Sequence, residues 1–344
     1  MIRKPTRDSL ERPVANEVEY IDPVEAVRQM ALQMVGQRLP SERDLAARLQ
    51  ISRPSLRAIL AQLQKEGLVE ARPKSGTYVV DQRPSRLHRI ALLIDADLKL
   101  GDDPFIVSVV DTLQRSIQAV GARCVIERTH GEGPHSVVED GILTLGMAGH
   151  DLVAMQRADG PPLVGLFLDA GTRPNRRASI FQLEDREAGY DAAKHLLQRG
   201  VRDIVFLGRR DIPASQERLS GAEAAAVEVG ATFRLISCHL NYPDGLRLGR
   251  QIDLPDSDTP LGVVATNDWL ALGFRTGLRD RHIPAERNVH IASFDGLAVT
   301  ADPSLDITSL AVPIQEIAAD AVAELQRLQR SPAATGRVIR YSLR

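Results

Sequence analysis

Residues 39–60 read LPSERDLAARLQISRPSLRAIL, a stretch in which Arg43, Arg48, Arg53 and Arg57 interrupt two apolar helical patterns. Ser41 precedes ERDLAARL, whose first turn carries Glu42 and Asp44, so Ser41 is predicted to cap a helix with Leu45 and Leu49 facing inward. After the tight turn QIS, Ser52 caps a further helix running to about Glu66, with Pro54 tolerated in its first turn. Leu56, Ile59, Leu60 and Leu63 line one side of this helix. Arg53 and Arg57, one helical turn apart, share another side near its N-terminus.

Upstream, Val24, Val27, Ala31, Met34 and Val35 have the spacing of a helix with one buried face over residues 23–35. Downstream, Gly67 ends the arginine-bearing helix and EGLVEARPKSGTYVV gives a strand, a turn at residues 73–76 and a second strand. Three helices with a tight turn before the last, followed by a two-stranded wing, make a winged helix-turn-helix. In that fold the last helix lies in the major groove of double-stranded DNA, where Arg53 and Arg57 reach guanine edges or phosphates and Ser55 hydrogen-bonds to either. The competing use of Arg43 and Arg57 is simple pairing with Glu42 or Asp44.

Charge agrees with a phosphate-facing segment. Residues 1–80 hold 13 Lys/Arg against 10 Asp/Glu, while the remainder holds 30 against 35. Within residues 36–80 the ratio is 8 to 4, so the basic excess sits in the helix-turn-helix and wing.

The motifs LPSER-x-LA, S-R-x-x-x-R, EGLV and G-T-Y-V occur in that order over residues 39–80, and together they resemble the DNA-binding domain of the GntR transcriptional regulators. The resemblance implies DNA contacts from Arg43, Arg53, Ser55 and Arg57, and from Gly76 and Thr77 at the wing tip. Lys74 joins them on charge alone. The chain departs from the family in its short turn before LPSER, where only GQR intervenes. That leaves the end of the first helix open.

The rest of the chain has a different rhythm. After the polar junction DQRPSRLHR, the run IALLID reads as a buried parallel strand, then a helical pattern and the strand RCVIE. DIVFLG, SGAEAAAVEVGA and TFRLIS repeat the unit, so residues 90–121 and 204–230 are read as matching β/α units of two lobes. DLVAM is read as a further strand. No G-x-G-x-x-G, P-loop, Ser-His-Asp or zinc spacing is present, so no cofactor, metal site or catalytic residue is expected and the chain is read as a non-enzyme. An aminotransferase fusion would need a far longer chain, and the helical metal-binding alternative would replace the β/α repeats with spaced histidines. Cys124 and Cys238 lie far apart in apolar segments and read as reduced thiols.

Several segments, among them residues 103–126, 184–208, 263–295 and 309–325, resemble the effector domain of the LacI/GalR repressors, which has the type I periplasmic-binding-protein fold; the N-D-x-x-A-x-G, I-P and F-D elements occur in order. The hinge helix that LacI members place before that domain is missing. The expected fold class is α/β: an N-terminal winged helix-turn-helix domain plus a two-lobed type I periplasmic-binding-protein-like domain. The boundaries are a flexible arm at 1–20, the DNA-binding domain at 21–81, a linker at 82–89, and an effector-binding and dimerisation domain at 90–344. The arabinose repressors join the same two modules.

The resemblance places a ligand between the lobes. It implies that Arg218 forks onto paired ligand oxygens, that Asn267 and Asp295 recognise hydroxyls, and that Asp103, Phe105 and Tyr242 complete a sugar-like site. Phe105 and Tyr242 are equally compatible with packing, as is the sole tryptophan, Trp269. Asp268 is expected to cap the helix that follows it, and Asp185 to lie at the lobe crossover. The partners expected are a palindromic DNA operator, a small carbohydrate-like effector and a second copy of the chain. No apolar run is long enough to cross a bilayer and no leader pattern opens the chain, so a cytoplasmic location is expected. The alternative is a DNA-binding regulator with a degenerate cleft, or one that takes a non-sugar ligand such as a nucleoside.

Overall fold

The computed structural model describes residues 22–34, 37–72, 75–80, 87–98, 100–132, 140–157, 159–169, 171–254, 260–282, 289–331 and 334–344. The N-terminal arm, Lys74, most of the expected linker and the I-P pair at Ile283 and Pro284 lie outside the described residues. The chain divides into two compact units, Met1–Gln82 and Arg83–Arg344.

The first unit contains α1 (Pro23–Gln33), α2 (Glu42–Arg48), α3 (Arg53–Lys65), β1 (Val69–Arg72) and β2 (Gly76–Val79). Ser41 Oγ accepts from Asp44 N and Ser52 Oγ from Ser55 N, so each serine satisfies an amide that the first helical turn would leave open. Gly67 takes a positive φ of 73° and ends α3. Val27, Leu45, Leu56, Leu63, Val69 and Val79 close the core. β1 and β2 pair antiparallel from Val69 opposite Val79 to Arg72 opposite Gly76. Residues 37–39 add to the wing: Leu39 N donates to the Thr77 carbonyl and Val79 N to that of Gln37. This pairing shows where α1 gives way: the chain must be extended by Gln37 to dock on β2.

The second unit has two parallel sheets. Its first lobe runs β3 (Arg89–Asp95), α4 (Pro104–Ala119), β4 (Arg123–Thr129), β5 (Gly141–Leu145), α5 (Gly149–Met155), β6 (Leu163–Leu166) and β7 (Ala178–Leu183). The second lobe runs α6 (Asp185–Gln198), β8 (Asp203–Gly208), α7 (Pro213–Glu228), β9 (Thr232–Ser237), α8 (Tyr242–Gln251), β10 (Leu261–Ala265), α9 (Asp268–Asp280), β11 (Val289–Asp295) and β12 (Ile307–Ala311). The chain then returns to the first lobe as α10 (Ile314–Arg330) and β13 (Val338–Tyr341). The sheet orders are β13-β7-β6-β5-β3-β4 and β12-β11-β10-β8-β9. Each reverses direction once, between β3 and β5 and between β8 and β10, and such switch points open a crevice at the carboxyl ends of the strands.

The repeat expected between the lobes is present as β3–α4 and β8–α7. Both helices begin with proline and both end at a valine followed by a glycine of positive φ, 77° at Gly121 and 67° at Gly230. DLVAM differs from expectation: it belongs to helix α5, where Leu152 and Val153 are buried. A five-residue apolar run carries too few periods to separate strand from buried helix.

The helices of the second lobe pack backbone to backbone. A Cβ on Gly189 would fall 2.0 Å from the Arg218 carbonyl oxygen, bringing α6 onto α7, and one on Gly245 would fall 2.2 Å from that of Leu270, bringing α8 onto α9. The lobes are joined at the waist by chain segments around Glu184, Val312 and Tyr341. There Glu184 N donates to the Tyr341 carbonyl, and Ala311 pairs with Arg344.

Candidate functional sites

On the first unit, α3 buries Leu56, Leu60 and Leu63 and leaves Arg53, Ser55 and Arg57 exposed near its N-terminus. Arg43 on α2 is exposed as well. Arg57 Nε lies 2.9 Å from Glu42 Oε2, and Arg43 Nε lies 3.8 Å from Asp44 Oδ1. Both pairs are open to water, where such contacts contribute roughly 0–1 kcal/mol, so a DNA phosphate competes for either arginine at little cost. Gly76 adopts φ +111°, which a side-chain-bearing residue rarely takes, and a Cβ there would meet Arg38 Nε at 2.7 Å. Gly76 thus lets the Arg38 side chain lie directly against the backbone beside Thr77.

In the second unit the elements bring Arg218, Asp185 and Asp295 together. Arg218 Nε is 2.7 Å from Asp185 Oδ1, its Nη1 donates to the Thr266 carbonyl at 2.6 Å and lies 3.9 Å from Asp295 Oδ1, and its guanidinium sits 4.6 Å from the centre of the Phe294 ring. Asp185 opens α6 directly after the waist, which puts it at the lobe crossover. Asp295 ends β11 with φ +115° and is buried. Burial pushes its carboxyl well above the usual range; Arg218 opposes that shift, and Asp268 and Asp103 add to it. Asp103, across the cleft on the first lobe, is raised by burial and lowered by the amides of Phe105 and Ile106 and by Arg218.

The other expected residues have local partners. Asp103 Oδ1 accepts from Phe105 N at 2.9 Å, capping α4. Phe105 is buried, with its ring 6.1 Å from that of Phe167. Tyr242 opens α8 and its ring lies 5.1 Å from that of Trp269. Asn267, and not Asp268, is the cap of α9: its Oδ1 accepts from Leu270 N and its Nδ2 donates to the Leu240 carbonyl. Asp268 is instead fully buried, accepting from the hydroxyls of Ser293 and Thr300 and from Leu297 N.

A cavity of about 920 Å³ adjoins this cluster, lined by Phe167, Asp169, Gln182, Asp185, Arg210 and Glu217 among others. A smaller one of about 220 Å³ is lined by Ser108, Thr112, Arg115 and Asp295. Of the residues named from sequence, only Asp185 lines the larger and only Asp295 the smaller. The Arg218 cluster is thus bracketed by two openings. Asp169 and Phe167 join the cavity wall without having been singled out by any motif, although LVGLFLD ends an apolar run on a carboxylate just as IASFD does. Among the described residues, no helix is long and apolar enough to cross a membrane.

Comparison with known proteins follows this division. Residues 25–79 match the gntR family of bacterial regulatory proteins, and residues 193–343 match the periplasmic binding protein-like domain. The arabinose metabolism transcriptional repressor of Geobacillus stearothermophilus is 21% identical over 323 residues, covering 88% of either chain. An uncharacterized HTH-type transcriptional regulator of Mycobacterium tuberculosis is 46% identical over 76 residues, 22% of this chain and 30% of that one. Among solved structures, a LacI family regulator from Enterococcus faecium with bound ribose superposes with a TM-score of 0.61 at 19% identity, covering 74% of this chain and 96% of that one. A regulator CelR–cellobiose complex gives 0.61 at 19%, covering 89% and 98%. The chain thus joins a segment that matches the gntR family to one that matches the periplasmic binding protein-like domain, and it is similar in this arrangement to transcriptional regulators of the GntR/LacI type.

Proposed function

We propose that this protein is a homodimeric repressor whose two α3 helices read a palindromic operator, and whose grip on DNA is set by a small carbohydrate bound between the lobes of the second unit. The observation that carries the DNA half is the division of α3: leucines buried on one side, with Arg53, Ser55 and Arg57 exposed at the N-terminal end where a recognition helix meets base edges. Arg43, Gly76 and Thr77 contribute backbone phosphate contacts that fix the register, together with Lys74. Two-fold symmetry of the protein matches two-fold symmetry of the site.

For the effector, Arg218, Asp295 and Asn267 supply donors and acceptors at the carboxyl ends of the second-lobe strands, with Asp103 facing them from the first lobe. Phe105 and the Tyr242–Trp269 pair provide apolar faces. The relatives with an arabinose-repressor name and with bound ribose or cellobiose support the sugar class. Ligand that favours one lobe separation shifts the population of DNA-competent dimers, by no more than its differential affinity for the two states.

The test is selection of bound sequences from random duplexes with the full chain, followed by titration of the selected site. A specific site should bind at least about a thousandfold tighter than random duplex at physiological salt, and arabinose, ribose or cellobiose should change that affinity. Equal binding of selected and random DNA would sink the DNA half. Unchanged affinity across the sugars would sink the effector half.

A further inference from the structure

The wing of the first unit has two unlike faces. Val69, Val79 and Leu39 are buried in the core, so by strand alternation Glu70, Arg72, Gly76, Tyr78 and Arg38 share the opposite, outer face. One of the two arginines on that face is matched: Arg72 Nη2 lies 2.5 Å from Glu70 Oε1, and its guanidinium sits 4.3 Å from the centre of the Tyr78 ring. Arg38 is exposed and has no acidic partner among the described residues.

The Arg38 side chain is nevertheless held in place. Residues 37–39 pair with β2, and the arginine reaches the last rung of the wing, where Gly76 pairs with Arg72. A Cβ on Gly76 would stand 2.7 Å from Arg38 Nε and 3.2 Å from its Cζ, so the guanidinium occupies the space that a side chain at position 76 would take. A long cation seated in this way has given up part of its rotamer freedom before any partner arrives. In sequence Arg38 is five residues from Arg43 on α2, a span of at most about 18 Å. Half the ~34–36 Å repeat of duplex DNA separates a major groove from the neighbouring minor groove, which puts that groove within reach of Arg38.

Resting on the reading of α3 as a helix in the major groove, we infer that Arg38 is a further DNA-reading residue, which enters the adjoining minor groove and makes the protein prefer A·T pairs there. A guanidinium is planar and weakly hydrated, so it sheds water into a slot about 6 Å wide more readily than an ammonium does. A·T-rich steps narrow that slot and deepen its negative potential, whereas the N2 amine of guanine projects into it. Arg53 and Arg57 then read one groove and Arg38 the next, with Gly76 retained because a side chain there would push Arg38 off the wing.

The experiment uses the full chain. Selection from random duplexes should return A·T-rich pairs flanking the core that α3 reads. Fluorescence anisotropy then compares the selected site with A·T, G·C or inosine·cytosine flanks; inosine lacks the minor-groove amine and keeps the major-groove face of guanine. The wild type should bind A·T and inosine·cytosine flanks alike and G·C flanks at least about tenfold more weakly. Arg38→Gln should bind the A·T-flanked site at least about tenfold more weakly and lose the flank preference, and Arg38→Lys should keep the charge and lose most of the preference. Unchanged affinity and flank ranking in Arg38→Gln overturns the inference. An equal loss on all three flanks makes Arg38 a phosphate contact and overturns it too, as does a wild type that treats inosine as guanine, which would put the readout in the major groove. Equal wild-type binding of selected and random duplexes instead overturns the reading of α3. Arg38→Lys, which keeps the aliphatic stem and the charge, carries the comparison if Arg38→Gln does not fold.

Discussion

Arg218 on α7 and Asp185 at the start of α6 form an ion pair of 2.7 Å with side chains almost out of reach of water, just where the chain crosses from one lobe to the other. The pair links the candidate ligand site to the waist. Removing one partner leaves a buried charge uncompensated, which typically costs about 3–5 kcal/mol. Arg218→Met should therefore lower the unfolding free energy by that order in urea titration. Arg218→Met combined with Asp185→Leu should recover part of it, and a strictly additive loss would show that the two charges do not depend on each other.

An exposed arginine of α3 behaves differently. Arg57 is exposed and its partner Glu42 is half-exposed, so Arg57→Ala should change stability by less than about 0.5 kcal/mol. Operator affinity, measured by fluorescence anisotropy at fixed salt, should fall by about 1–3 kcal/mol if the side chain reads a base edge. Unchanged affinity would remove Arg57 from the interface.

Burial of Asp295, with Asp103 and Asp268 raised alongside it, gives a pH dependence of definite sign. The folded state holds these protons more tightly than the unfolded chain, so the contribution of these three groups to stability is fullest below the ordinary carboxyl value of 3.8 and is lost as pH rises through the folded values. Urea midpoints across that range should show a shallower decline in Asp295→Asn. A steeper decline in the variant would contradict the burial argument.

Glycine in the second lobe is needed for close approach. A Cβ on Gly249 would stand 2.2 Å from the Phe274 carbonyl oxygen, where neither helix can yield without moving backbone. Gly249→Ala should cost at least the ~1–3 kcal/mol of ordinary overpacking. Gly101→Ala, with open space around it, should be close to neutral in the same chemical denaturation assay.

Much of this was legible in the residues. Ser41 and Ser52 announce their helices because a cap is a local event between residues three apart, and both bonds form. DIVFLG and TFRLIS match β8 and β9 residue for residue, since a short apolar or alternating run between breakers has few other ways to fold. DLVAM reads as a strand, yet forms part of α5, because five residues do not contain enough of a helical period. Asn267 and Asp268 are both able to cap, and only the buried hydroxyls of Ser293 and Thr300 determine that the carboxylate turns inward while the amide caps. Those hydroxyls lie more than twenty residues away. The weight of Asp185 was invisible for the same reason: nothing near it in the chain indicates that Arg218 will reach it.

The glycines that weld α6 to α7 and α8 to α9 have a mechanical consequence. Helices whose main chains touch have no side-chain layer to slide on, so the second lobe can neither shear nor breathe along those seams. Displacement of the lobe therefore has to be taken up at the three narrow straps at the waist. The lobe then works as a stiff lever arm, and a small rotation at Glu184 or Val312 becomes a larger displacement at its far end.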